Sequence, residues 1–177
     1  MWHFLGQVKE MGFSGVNNFP THSIVDGKFR QILEETGMSV QKEVDMVGLA
    51  RRMDLFSIVY VGSPEEARDM AEVGADVIIA HVGTTIGGSI GVVEAAMTLE
   101  EAAARTQKII EAGKTVRDDV IYLSHGGPIS KPEDAAYINE HTDAVGFVGA
   151  SSLERMAIEG SLTNLTREFK SIPVKRK

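Results

Sequence analysis

Two segments of the sequence follow the same pattern, and this pattern constrains the fold more than any other feature. An apolar run at residues 77–80 leads into His81, and a loop rich in glycine and hydroxyl residues follows as far as Gly91. A second apolar run at residues 120–123 leads through a serine into His125 and two glycines. Such short apolar runs, bounded by glycine, are typical of buried parallel strands. The pattern therefore predicts a site at the carboxyl edge of a parallel sheet.

Helices and strands alternate along the whole chain. Capping-box patterns begin helices at Ser63 and Thr98, and in the first of them proline occupies the first helical position. The predicted strands are residues 13–20, 56–61, 76–81, 120–125 and 144–149. Such alternation requires a parallel sheet with right-handed crossovers. It leaves two architectures open, a doubly wound sheet and a (β/α)₈ barrel.

Length and composition limit the class of protein. The 177 residues suit one domain, 1–177, with a hydrophobic core. A net charge of −7 argues against nucleic-acid binding, and the basic cluster 175–177 is too short to change that. The chain has no cysteine, which excludes disulfides and thiolate metal sites, and no apolar run approaches the roughly 20 residues of a membrane helix. These features predict a soluble, cytoplasmic protein that binds neither nucleic acid nor membrane.

A resemblance to a known family rests on five segments, which follow one another from about Phe4 to Ile172. They are GFSGVNNFPT at 12–21, FRQILEETGM at 29–38, GADVIIAHVGTTIGGSIG at 74–91, LSHGGPIS at 123–130 and GFVGASSLER at 146–155. Together they resemble the TIM-barrel family that is called phosphoenolpyruvate hydrolase-like. The resemblance implies an α/β fold of the (β/α)₈ barrel type. The barrel of this family also forms the carboxyl-terminal domain of a plant protein that inhibits tobamovirus RNA replication.

The resemblance also implies that the chain holds only part of a barrel. Members have about three more βα units before the first helix of this sequence, so the five predicted strands would be the fourth to the eighth. Either the chain is a piece of a longer protein, or it completes its sheet with another copy or a partner. The second alternative predicts a homo-oligomer, because an open arc of strands leaves two unpaired edges.

In this barrel frame, the loops after the seventh and eighth strands are the usual positions for phosphate. Consecutive glycines let backbone N–H groups approach an anion, and the helix that begins at Ser151 directs its positive end toward it. The alternative is that these residues only form turns and a helix cap. The predicted ligand is a small phosphorylated or carboxylated molecule, and its predicted binding residues in these loops are Gly126, Gly127, Gly149, Ser151 and Ser152.

His81 and His125 are the predicted catalytic residues. They end the sixth and seventh strands of the frame on the same rim, and imidazole exchanges protons near neutral pH. For a phosphoenolpyruvate-like substrate, one could protonate the methylene carbon or the enolate while the other activates water. The alternative is that the two histidines have only a structural role, as hydrogen-bonded polar residues at the barrel mouth.

Other polar residues near the strand ends complete the predicted site. An amide pair at a strand end suits a carboxylate or carbonyl oxygen, although such side chains also close their own turns. The predicted binding residues of this group are Asn17, Asn18, Thr21, Thr84, Thr85 and Ser89, the last three in a long loop that could act as a lid. Glu35, within a segment of the family resemblance, is a candidate acid, base or metal ligand, the alternative being a solvated helix charge.

The metal requirement stays open. The wider group of phosphoenolpyruvate-processing barrels holds magnesium through carboxylates at strand ends, and a divalent cation such as magnesium is therefore an expectation of the resemblance. However, no predicted strand of this chain ends in Asp or Glu. Two functions follow: an enzyme with hydrolase or lyase chemistry on phosphoenolpyruvate or a similar acid, and a non-catalytic domain that senses a small ligand or serves as a scaffold.

Overall fold

The structure, a computed structural model, describes residues 1–91 and 97–173, so the basic tail and part of the predicted lid loop lie outside the described residues. The strands are β1 (Gly15–Asn17), β2 (Phe56–Val61), β3 (Val77–His81) and β4 (Ile121–His125). The α-helices are α1 (Trp2–Glu10), α2 (Gly27–Glu35), α3 (Val40–Arg52), α4 (Pro64–Glu72), α5 (Leu99–Lys114), α6 (Pro132–His141), α7 (Ser151–Glu154) and α8 (Met156–Lys170). A short 3₁₀ turn spans His22–Ile24.

The four strands form one parallel sheet in the order β1-β2-β3-β4. Neighbours in the sheet are thus neighbours in sequence, and each crossover includes at least one helix. The register pairs Ala80 with Ser124 and His81 with His125. The predicted parallel α/β fold is confirmed at this level.

The two faces of the sheet pack differently. Val59, Ile78 and Tyr122 belong to the main core, which lies between the sheet and the helices. Residues of the opposite parity, such as Tyr60 and Ile79, form a second, smaller cluster on the other face. Since side chains alternate along a strand, His81 shares the face of Ile79 and Tyr60.

Helix α5 shows how the local sequence determines the elements. The Thr98 side chain accepts a hydrogen bond from the Glu101 amide, and the Glu101 carboxylate accepts one from the Thr98 amide, which confirms the predicted capping box. Ile109 and Ile110 are fully buried on its inner side. Each contributes about 2 kcal/mol of burial free energy. None of the helices in the described ranges is long and apolar enough to cross a membrane.

The predicted fifth strand, 144–149, is present only as an isolated bridge between Ser124 and Phe147. Hydrogen bonds from the Ser124 amide to Gly146 and from the Val148 amide to Ser124 hold this segment beside β4. It lies at the edge of the sheet and contains two glycines, which lower the strand propensity. The prediction of five βα units is therefore not confirmed.

Candidate functional site

The carboxyl edge of β3 and β4 brings the two predicted catalytic histidines together. His81 and His125 are register partners, and their ring centroids lie 5.2 Å apart. Each side chain is mostly buried, with 6% of its surface exposed. The sequence predicted this common rim because each histidine directly ends an apolar strand.

Tyr60 completes an aromatic cluster with the histidines. Its ring meets His125 edge-on at 5.2 Å and His81 at 6.1 Å. Phe19 packs against the other side of Tyr60 at 5.1 Å. Burial raises the pKa of the Tyr60 hydroxyl, and the charge of Glu154 adds to this effect. The hydroxyl therefore remains a protonated hydrogen-bond donor at neutral pH.

The two imidazoles have different backbone partners. The amide of Gly83 lies 3.2 Å from Nδ1 of His81, whereas Nδ1 of His125 lies 2.7 Å from the carbonyl oxygen of Val148. Burial, followed by the charges of His125 and Arg105, lowers the pKa of His81 to about 4. Burial also lowers the pKa of His125, against the opposing effect of its hydrogen bond to Val148. His81 is therefore neutral at pH 7.

A cavity of about 570 Å³ opens beside His81 at the carboxyl ends of the first three strands. Two cationic side chains, Arg30 and Arg105, line it together with Thr84 and Ser23. Arg105 reaches across from α5 and donates a 2.7 Å hydrogen bond to the carbonyl oxygen of Gly62. The cations and hydroxyl groups suit a small anion, whereas the carboxylates of Asp26 and Glu66, which also line the cavity, oppose one.

Glu66 is the buried carboxylate of this cavity. It accepts hydrogen bonds from Arg30 at 2.7 Å, from the hydroxyl of Ser23 at 2.7 Å and from the amide of Gly62 at 2.7 Å. Burial alone would raise the pKa of Glu66, but these hydrogen bonds outweigh burial and hold the pKa below its ordinary value. Arg30 is therefore paired within the protein, and the cation more available to a ligand is Arg105.

The glycine loops after β3 and β4 are bound to each other. The amide of Gly127 donates to the carbonyl oxygen of Gly83 at 2.8 Å, and the amide of Ile86 donates to Gly127 at 3.0 Å. Gly126 has φ of +85°, and a side chain there would collide with the Gly83 carbonyl. These contacts engage one of the two amides that the sequence assigned to anion binding. The binding role of Gly126 and Gly127 stays a prediction.

Asn18 and Thr21 lie at the end of β1, but their polar atoms are engaged inside the fold. Asn18 pairs with the backbone of Tyr60, accepting from its amide at 2.7 Å and donating to its carbonyl at 3.0 Å. Both side chains also donate to the carboxylate of Glu43. Asn17 accepts a hydrogen bond from the Phe19 amide and closes its own turn. Ligand binding by these three residues stays a prediction.

The loop after β3 holds the remaining predicted hydroxyls. Thr84 lines the cavity, and Thr85 follows it, half-buried. Ser89 instead points to α8, where its amide and hydroxyl each donate to the carboxylate of Glu159 at 2.8 Å. Hydrogen bonds from Arg155 and Ser89 lower the pKa of Glu159 to about 2, so that the Glu159 carboxylate remains charged in mild acid.

The segment that follows the isolated bridge is arranged differently from the prediction. Ser151 begins α7, but this helix is one turn long and breaks at Arg155 before α8 begins. Such a short helix offers little of the dipole that the sequence argument assigned to it. The hydroxyl of Ser152 is buried and has no hydrogen-bond partner in the described part of the chain. Gly149 lies just before this turn, against Leu153.

Glu35 lies on the exposed side of α2, where it accepts a hydrogen bond from Gln31 one turn earlier. It does not line the cavity beside His81. Within residues 1–91 and 97–173, no three His, Asp or Glu side chains cluster closely enough to hold a metal ion. These described residues do not form the expected magnesium site, and no chemistry is assigned to a metal.

Sequence reasoning missed Tyr60, Glu66 and the two arginines. Tyr60 has the parity of Ile58 in β2, which could have placed it on the histidine face. Glu66 matched a capping box, and Ser63 does accept from its amide, but its carboxylate turns to the cavity instead of the cap. Arg105 carries no local signal, since only the packing of α5 brings it to this rim.

Comparison with known proteins identifies relatives of the whole chain. The phosphoenolpyruvate hydrolase-like family matches residues 1–172. Two tomato (Solanum lycopersicum) proteins, ToMV susceptible protein tm-1 and ToMV resistance protein Tm-1, are each 49% identical over 173 residues. The match covers 97% of this chain but only 23% of either relative.

A solved structure, the N-acetylmannosamine-6-phosphate 2-epimerase from Clostridium perfringens, is 13% identical and superposes with a TM-score of 0.45. That match covers 73% of this chain and 48% of the epimerase, and a similarity this weak carries no argument. The family match, by contrast, extends over nearly every residue that forms the sheet, the histidine pair and the cavity. The chain therefore belongs to the phosphoenolpyruvate hydrolase-like family.

Proposed function

We propose that this chain binds phosphoenolpyruvate or a similar small phosphorylated or carboxylated acid and is the site of hydrolase or lyase chemistry on it. The observation that carries the proposal is the pair of adjacent histidines beside a cavity with two arginines. Arg105 and Thr84 bind the anionic group of the ligand. His81 and His125 handle the protons of its carbon skeleton.

The environment of the site supports an anionic ligand. Arg30 is neutralised by Glu66, whereas Arg105 has the backbone carbonyl of Gly62 as its one hydrogen-bond partner in the described part of the chain. A charge-assisted hydrogen bond to a carboxylate or phosphate contributes about 1.5–3 kcal/mol. Both histidines are mostly buried, and the lower local dielectric strengthens these interactions.

We also propose that the sheet is part of a (β/α)₈ barrel. Four parallel strands in sequential order, with α3 to α6 packed on one face of the sheet, support this architecture. The apolar cluster around Tyr60 and Ile79 would then belong to the barrel interior. Native mass spectrometry tests whether the sheet is completed by a second copy: a homo-oligomer supports that form, and a monomer at micromolar concentration contradicts it.

The test of function combines binding with turnover. Calorimetry with phosphoenolpyruvate is compared with release of pyruvate and phosphate by the same preparation. Binding together with turnover supports the enzyme if His125→Ala abolishes the turnover. His141→Ala, which makes the same substitution at an exposed position, is the control. Absence of both binding and turnover would refute the proposal. Full turnover by the His81→Ala/His125→Ala double variant would remove the histidines from the mechanism.

A second function, a ligand-binding domain without catalysis, is favoured by one observation. Burial lowers the pKa of His81 to about 4, which makes this side chain a weak base. This alternative predicts saturable binding of the same anion without any product. The calorimetric and product measurements together therefore separate the two functions.

A further inference from the structure

The hydrogen bonds at Nδ1 fix opposite tautomers in the two histidines. A backbone amide can only donate, so the Gly83 amide requires an unprotonated Nδ1 in His81 and leaves the proton of the neutral ring on Nε2. A carbonyl oxygen can only accept, so Val148 requires a proton on Nδ1 of His125. In the neutral ring of His125, Nε2 then carries a lone pair.

The surroundings of both rings disfavour a second proton. His81 faces the ring of His125, the hydroxyl-bearing ring of Tyr60 and the cation of Arg105, and the charge of the Glu66 carboxylate opposes the effect of the cation. His125 faces Tyr60, His81 and the Val148 carbonyl. Both rings are mostly buried, and burial disfavours the charged form. The tautomers therefore persist at neutral pH.

The described residues leave both Nε2 atoms without a partner, and His81 lines the cavity beside it. Neither has a hydrogen-bond partner among residues 1–91 and 97–173, and neither is among the fully enclosed unpaired atoms, which include both ring nitrogens of His22. With ring centroids 5.2 Å apart, one small fragment of two or three atoms can contact both rings. One ring then offers an N–H donor and the other offers a lone pair.

We propose that the two histidines have complementary roles: Nε2 of His125 is the proton acceptor, and Nε2–H of His81 is a neutral hydrogen-bond donor to the oxygen that develops charge. The substrate class is a 2-oxo acid or its enol, and this assignment rests on the proposed function. A base paired with a neutral imidazole donor is a known solution for enolisation.

The proton and electron balance of this step is simple. The C–H bond next to the carbonyl breaks, its proton forms an N–H bond with His125, and its electron pair forms the C=C bond of the enolate. The carbonyl π electrons move to the oxygen, which accepts the hydrogen bond from His81. In the reverse direction, the imidazolium of His125 returns the proton to the methylene carbon and yields the keto acid.

The tautomers are tested first, without any ligand. Long-range ¹H–¹⁵N spectra of the chain with ¹⁵N-labelled histidine, at pH 7, distinguish a protonated ring nitrogen from an unprotonated one. We expect Nε2–H for His81 and Nδ1–H for His125, with signals assigned by their loss in His81→Gln and His125→Gln. The same tautomer in both rings, or a charged His81 at pH 7, would overturn the proposal.

The roles are tested by exchange of the methyl protons of pyruvate in D₂O, followed by NMR. His125→Gln removes the base and should slow exchange about 100-fold or more. His81→Gln keeps an N–H donor near the Nε2 position and should slow it only about tenfold. His141→Gln, on the exposed end of α6, should leave the rate unchanged. Equal losses in the two site variants would refute the division of roles.

Failure of this inference is distinguishable from failure of the proposed function. If phosphoenolpyruvate binds in calorimetry but both rings have the same tautomer, the inference is refuted and the proposed function is not. Opposite tautomers without any binding of phosphoenolpyruvate or pyruvate refute the proposed function, and with it the enolate role. Opposite tautomers, binding and the unequal exchange rates together support both.

Discussion

The end of β1 and the ends of β3 and β4 carry polar side chains at the same edge of one sheet, but the two regions use them differently. At the end of β1, each polar atom of the Asn18 side chain is bound to the Tyr60 backbone, Thr21 or Glu43. At the ends of β3 and β4, each histidine uses one ring nitrogen for the backbone, and the other has no partner within residues 1–91 and 97–173. Polar residues at a strand end are therefore informative about ligand binding only when part of their hydrogen-bonding capacity remains.

The largest effect on stability should come from the end of β1, where the polar atoms of the Asn18 side chain are all hydrogen-bonded. Asn18→Ala leaves both the amide and the carbonyl of Tyr60 buried and without their partner, at a cost of about 3 kcal/mol in the free energy of unfolding. Urea denaturation measures the loss. Asn17→Ala is the matched control, since its single bond to the Phe19 amide is exposed, and it should cost less than about 1 kcal/mol. Equal losses would contradict the structural role of Asn18.

The free energy of unfolding should depend on pH through His81. The pKa of His81 falls from 6.5 to about 4 on folding, so the unfolded chain takes up a proton that the folded chain does not. Stability is then complete above pH 6.5 and decreases as the pH falls toward 4, by roughly 2–3 kcal/mol at pH 4.5. His81→Gln should flatten this dependence between pH 7.5 and 4.5, and the remainder includes His125, whose pKa burial also lowers. An unchanged slope in the variant would assign the effect to other groups.

A smaller effect, on affinity alone, should follow from Arg105. Arg105→Gln removes the cation that donates to the Gly62 carbonyl, and we expect binding of phosphoenolpyruvate to weaken about tenfold to 100-fold. Lys108→Gln removes the same charge one turn along α5 without touching the cavity. Calorimetry on both variants separates a specific contact from the net charge. Equal weakening would exclude Arg105 as the anion ligand.

The smallest effect should be local. Glu159→Gln weakens the two hydrogen bonds between Ser89 and α8. Because the pair is exposed, the free energy of unfolding should hardly change. Limited proteolysis should then cut the loop around Ser89 several-fold faster than in the unaltered chain. Glu168→Gln, later on α8, is the control. No change in cleavage would show that other contacts hold this loop.

The comparison also shows what the sequence could predict. Strands β2 to β4 and the histidine rim were predictable because apolar runs of the right length end directly in a polar residue and glycine. The fifth strand was overpredicted, since an apolar run says nothing about whether an edge has a partner. Arg105, Arg30 and Glu66 were missed because their common location depends on how α2, α4 and α5 pack, and this has no local signature.

The loops after β3 and β4 are coupled, and their coupling has a kinetic consequence. Hydrogen bonds from Gly127 to Gly83 and from Ile86 to Gly127 join the loop after β3 to the loop after β4. Neither loop can swing outward until these bonds break, so both should open in one event with one rate constant. The amides of Gly127 and Ile86 would then exchange with solvent at the same speed. A substrate entering past either histidine would wait for the same opening.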